Sequence, residues 1–117
     1  MIIAITGAPG AGKTTMAAVL SKWLNLKVIH TDDFLDYDHD EQPWKVLEEV
    51  QSWKSCIVEG TIVARMLRHE KGYYLNPDML IYTRDARKET LSNIPWVTTY
   101  TNSWAIWNSN KVVEVHR

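Results

Sequence analysis

The chain has 117 residues, 45% hydrophobic and 23% charged, with a net charge of −1 and a lone cysteine, Cys56. This length buries enough surface for one core without disulfide staples, and a single cysteine cannot form an internal one. The balance excludes the overall basic excess of a nucleic-acid-coating protein, and no stretch reaches the roughly 20 apolar residues of a membrane span, so one domain over 1–117, cytoplasmic and off the membrane, is expected.

In chain order, "MIIAIT" (1–6) is a continuous apolar run of the kind that forms a strand covered on both faces. "GAPGAGKT" follows and fits G-x-x-x-x-G-K-[ST], with Gly7, Gly12, Lys13 and Thr14 at the defining places. The loop through Ala8, Pro9, Gly10 and Ala11 would turn its N–H groups onto phosphate oxygens, helped by the positive end of the helix behind it. Lys13 would reach the β- and γ-phosphates, the Thr14 hydroxyl would ligate Mg²⁺, and Thr15 is placed for the α-phosphate. A ligand-free glycine turn is the plain alternative. The strand before and the amphipathic helix after argue against it.

That helix, from Lys13 to about Leu24, carries Met16, Val19, Leu20 and Trp23 on one stripe. "LKVIHT" (26–31) is the second strand. After it, six of the eleven positions from Thr31 to Glu41 are carboxylates. A helix opens with Pro43 in its first turn, and "SCIVEG" (55–60) is the third strand. "TIVARMLRHEK" has Ile62, Val63, Met66 and Leu67 at helical spacing, with Gly72 as a stop. "DMLIYT" (78–83) is the fourth strand, "DARKETLS" opens another helix that "NIP" interrupts, and "NKVVEV" (110–115) is the fifth strand. Residues 96–108 are expected to be partly helical, with Trp104 and Trp107 packed inward and Met16, Met66 and Met79 in the core. Trp96, Tyr100, Trp104 and Trp107 serve either as core filling or as a surface for stacking bases. Strands alternating with helices imply a three-layer α/β sandwich around a parallel sheet.

Three short motifs carry a resemblance: the phosphate loop at 7–15, "TDDF" at 31–34 and "IVEG" at 57–60. Together they resemble the P-loop kinases of nucleosides, nucleotides and polynucleotides. The loop and Asp-Asp-aromatic step look like uridine and nicotinamide riboside kinases and also like polynucleotide 5'-hydroxyl kinases. The resemblance implies the P-loop NTPase fold, with a five-stranded parallel sheet in the order 2-3-1-4-5, and ATP with Mg²⁺ as cofactors. It also implies that Asp32 is the general base acting on the acceptor hydroxyl, the role a carboxylate beyond a strand's carboxyl end is placed to fill. Asp32 is expected at the tip of a strand adjoining the first. Asp33 would serve the metal's water shell or cap a turn. Glu59 would act through a metal-bound water or the acceptor sugar, or pair with Lys13 in the empty protein. Arg84 and Arg87 would form a cationic lid, with Arg65 and Arg68 as weaker candidates on the acceptor side.

The sequence given closes at "VVEVHR", so the sheet is expected to be truncated after its fifth strand, and a homodimer is one way to cover that edge; a clean monomer mass in solution would count against it. The acceptor stays open between a hydroxyl-bearing small molecule, such as a nucleoside or nucleotide, and nucleic acid, as a 5'-hydroxyl end or a hydroxymethylated base in DNA. A catalytically silent, regulatory nucleotide binder is the alternative from another class. A GTPase switch is disfavoured, because no D-x-x-G occurs and "NKVV" has Val113 where a guanine reader carries aspartate.

Overall fold

The computed structural model describes residues 1–67, 75–92 and 94–116. The strands are β1 (Ile2–Thr6), β2 (Lys27–His30), β3 (Cys56–Glu59), β4 (Met79–Arg84) and β5 (Val112–His116). The helices are α1 (Lys13–Leu24), α2 (Gln42–Trp53), α3 (Ile62–Met66), α4 (Ala86–Leu91) and α5 (Trp96–Trp107). All strand pairs are parallel, in the order β2-β3-β1-β4-β5. This is the order the motifs implied.

The sheet is buried by sending alternate side chains to opposite faces. Ile3 and Ile5 of β1 join Ile57, Ile81 and Ala17 of α1 on one face. Ala4 joins Val58, Leu80, Val46 and Val50 of α2, Val63 and Met66 of α3, and Trp104 of α5 on the other. Two helical layers thus enclose one sheet. The edge strand β5 pairs with β4 alone, and Val113 stays exposed.

Several expectations need correction. β2 does not adjoin β1, because β3 lies between them. The helix expected over 61–71 is described only as the short α3, and its proposed stop at Gly72 lies outside the described residues. Residues 96–107 are helical throughout, and Trp104 is buried as expected, but Trp107 is 87% exposed. Trp107 is the last residue of α5, so the spacing from Trp104 that would share its face does not carry the indole onto the sheet beyond the helix end. Trp23 is likewise 81% exposed at the end of α1, and Met79 is partly exposed at the start of β4.

Gly60, directly after β3, has φ +139°, and a Cβ built there would overlap Thr31 Oγ1. Thr31 is fully buried at the end of β2, so neither side can give way. Gly60→Ala is therefore expected to lower unfolding stability by about 2–5 kcal/mol, from overpacking plus a left-handed backbone. Urea unfolding with an unchanged slope would measure it.

Candidate active site

The carboxyl ends of β1, β2 and β3 open into one cleft of about 550 Å³, within the range of small-molecule sites. It is lined by Pro9, Gly10, Gly12, Lys13, Thr14 and Thr15 of the loop and first helical turn, and by Asp32, Glu59, Gly60, Thr61 and Ile94.

The loop holds its shape by backbone means. Gly10 and Gly12 have φ of 80° and 93°, and the Ala11 N–H donates to the Ala8 carbonyl at 3.1 Å. At Gly7 a Cβ would overlap both the carbonyl and the hydroxyl oxygen of Thr83, whose Oγ1 donates to the Thr6 carbonyl at 3.0 Å. The glycine lets β1 and β4 meet at the root of the loop. No side chain caps α1. The first intrahelical bond runs from the Met16 N–H to the Gly12 carbonyl, which leaves the N–H groups of Lys13, Thr14 and Thr15 without helical acceptors. An uncapped helix N-terminus facing a cleft suits a phosphate.

Lys13 folds back over the loop, donating from Nζ to the carbonyls of Gly7 at 3.0 Å and Ala8 at 2.8 Å. Burial pushes its pKa below the usual lysine value, and the negative charges of Glu59 and Asp32 pull it partly back. Both carboxylates therefore act on the ammonium. The expected Lys13–Glu59 pair is replaced by another: Glu59, 4% exposed, meets His30 Nδ1 at 2.7 Å, and Thr14 Oγ1 donates to the same carboxylate oxygen at 3.5 Å.

The two aspartates separate. Asp32 lines the cleft, and among the described residues its carboxylate makes no hydrogen bond, so it does not cap the Thr31–Phe34 turn. Asp33 lies instead in a neighbouring groove with Phe34, Tyr37, Lys45, Glu48 and Glu49, away from Thr14 and Glu59. Consecutive residues of a tight turn point in different directions, and only one faces the phosphate loop.

The basic residues separate too. Arg84 is held by Glu89 (Nε at 2.9 Å, Nη2 at 2.7 Å) and by Glu114 at 3.2 Å, with its guanidinium over the Tyr82 ring. Those carboxylates raise its pKa. Arg84 thus ties β4 to α4 and β5, and Arg87 is exposed. Lys88, rather than Arg84 or Arg87, lies against the loop: its Cδ and Cε are 3.4 Å, and its Nζ 3.7 Å, from where a Cβ on Gly10 would stand. Its position follows from Asp85, whose carboxylate caps α4 by accepting from the N–H groups of Arg87 and Lys88. Arg65 is buried, donating to Gln42 Oε1 at 3.2 Å and the His39 carbonyl at 2.6 Å, and so pins the acidic loop rather than lining the cleft. Arg68 lies outside the described residues. Lys88, His30, Thr61 and Ile94 had no motif to announce them.

Among the described residues no group of three or more His, Cys, Asp or Glu side chains forms a ready metal cage. The oxygen donors Thr14 and Glu59 nonetheless fit Mg²⁺, which takes one or two protein ligands and completes its shell with water and substrate phosphates.

No protein-family model matches the chain. Two proteins named "Putative adenylate kinase" are similar to it: one from Sulfurisphaera tokodaii at 33% identity over 105 residues, the other from Methanocaldococcus jannaschii at 32% over 100. The alignments cover 75% and 72% of this chain but 55% and 51% of those proteins, so the chain spans about half the length of these relatives. Among solved structures, thymidylate kinase from Ehrlichia chaffeensis superposes with a TM-score of 0.60 at 15% identity, over 99% of this chain and 86% of that one. Deoxyadenosine kinase from M. mycoides gives 0.60 at 19%, over 99% and 91%. Shikimate kinase from Aquifex aeolicus gives 0.57 at 13%, over 99% and 85%. The fold is that of the P-loop kinases. Within that fold, the likeness to uridine, nicotinamide riboside and polynucleotide kinases rests on the three motifs alone. Among the described residues no helix is long and apolar enough to cross a membrane.

Proposed function

We propose that this chain is an ATP-dependent phosphotransferase that moves the γ-phosphoryl group of Mg·ATP to a hydroxyl of a nucleoside, nucleotide or similar small molecule. One observation carries the proposal: a single cleft gathers the phosphate loop, Lys13, Thr14, Asp32 and Glu59. The loop amides and Lys13 hold the β- and γ-phosphates. Thr14 and Glu59 would hold the metal, which would offset the charge of the phosphates. Asp32 accepts the proton of the acceptor hydroxyl as its oxygen attacks phosphorus and the bond to the β-phosphate oxygen breaks, releasing ADP. The kinase names of the relatives and neighbours favour this class of activity.

A transfer screen with radiolabelled ATP tests the proposal, offering nucleosides, nucleotides, shikimate-like alcohols, 5'-hydroxyl oligonucleotides and hydroxymethyluracil DNA. Label on a small alcohol supports it. Label on nucleic acid alone would move the acceptor class, and nucleotide binding without transfer to any acceptor would favour a silent binder.

Lys88 is the lid cation in this scheme. Lys88→Ala is expected to lower the transfer rate about tenfold, the effect of one exposed charge on the migrating phosphoryl group. Arg87→Ala should leave the rate near wild type, and Arg84→Ala should show its effect in thermal stability. Rates and melting curves of the three variants separate these outcomes.

A further inference from the structure

We infer that His30 is a positioning residue for Glu59, holding its carboxylate in the orientation that a bound nucleotide and its metal meet, an assignment that rests on the proposed kinase activity. His30 and Glu59 are register partners at the ends of the adjacent parallel strands β2 and β3. Register partners point to the same face, which brings His30 Nδ1 within 2.7 Å of Glu59 Oε1. The partner of Glu59 on its other side, Ile5 of β1, offers only an apolar side chain.

A carboxylate as buried as Glu59 needs a donor. Lys13 spends its ammonium on the Gly7 and Ala8 carbonyls, and Thr14 Oγ1 stands at the 3.5 Å limit. Among the described residues, His30 supplies the one short polar contact. With Glu59 as a carboxylate, Nδ1 carries the hydrogen of this contact, and the contact orients the ring as a partner does for histidines around metal sites. Both contacts fall on Oε1, so Oε2 is the oxygen left to the cleft that Glu59 lines. The ring itself is 40% exposed, so burial alone does not account for a histidine at this place.

The test is calorimetric binding of the non-hydrolysable ATP analogue AMPPNP, with Mg²⁺ and with EDTA. The ratio of the two affinities gives the metal-dependent gain. His30→Ala, and His30→Phe as a ring-shaped variant without the donor, are expected to cut that gain about tenfold while leaving binding in EDTA unchanged. His30→Asn, which keeps an N–H at the Nδ1 position, is expected to restore the gain. Glu59→Gln should lose as much as His30→Ala, and the double variant no more than either alone. An unchanged gain in His30→Ala or His30→Phe would overturn the assignment. So would equal losses with and without metal, His30→Asn behaving like His30→Ala, or a wild type without any metal-dependent gain. Failure of the wild-type chain to bind AMPPNP at all would overturn the nucleotide proposal itself, and is visible before any variant is made.

Discussion

Asp32→Asn is expected to reduce phosphoryl transfer by about 10²- to 10⁴-fold, the usual worth of a positioned general base, while AMPPNP binds as tightly as to the wild type. The amide has the shape of the carboxylate but cannot take the acceptor's proton. Because Asp32 is exposed and makes no side-chain hydrogen bond among the described residues, its replacement breaks nothing that holds the turn. Loss of rate therefore cannot be charged to unfolding, and a melting curve superposable on the wild type would confirm this. The measurement is the initial rate with whichever acceptor the screen identifies, beside calorimetric titration of the analogue. A variant that transfers at the wild-type rate would remove Asp32 from catalysis.

Lys13→Ala should weaken ATP binding about 10- to 100-fold, the loss expected when one or two charge-assisted hydrogen bonds to phosphate disappear. The empty protein should tolerate the change, shifting in stability by about 1 kcal/mol or less. Lys13 is a buried cation whose desolvation depresses its pKa, so the two hydrogen bonds lost at Gly7 and Ala8 are offset by relief from burying a charge. Nucleotide titration and denaturant unfolding read the two effects separately. Intact affinity would contradict the phosphate cradle.

The parts of this molecule that were legible in its sequence are those whose meaning is local. Residues 1–24 announce a strand, a phosphate loop and a helix because period, glycine placement and the Lys-Thr pair are consecutive. The acid after β2 and the Glu-Gly at the end of β3 were legible for the same reason: each closes a continuous apolar run, and such runs end where open sheets bind ligands. For a cationic lid the sequence offers Arg84 and Arg87, and the structure brings a different basic side chain to the loop. Arg84 and Arg87 have the right charge and spacing, but Asp85 sets where α4 begins, and that phase delivers Lys88 to the loop while Glu89 and Glu114 hold Arg84. Aromatic content misled in a similar way. Trp104 is core, whereas Trp23 and Trp107, read as inward-facing from helical spacing, project into solvent.

Short-range chemistry in the chain thus specified the elements, the order of the motifs and the side chains able to handle phosphate. Which of those side chains meet was settled across the sheet. β3 enters between β1 and β2 and carries Glu59 to His30 instead of to Lys13, and a single turn sends Asp32 and Asp33 into different hollows. The reason is that backbone preference and hydrophobic period act over a few residues, whereas pairing of charged tips depends on register between strands about thirty residues apart, which hydrogen bonds and packing select only as the whole sheet assembles.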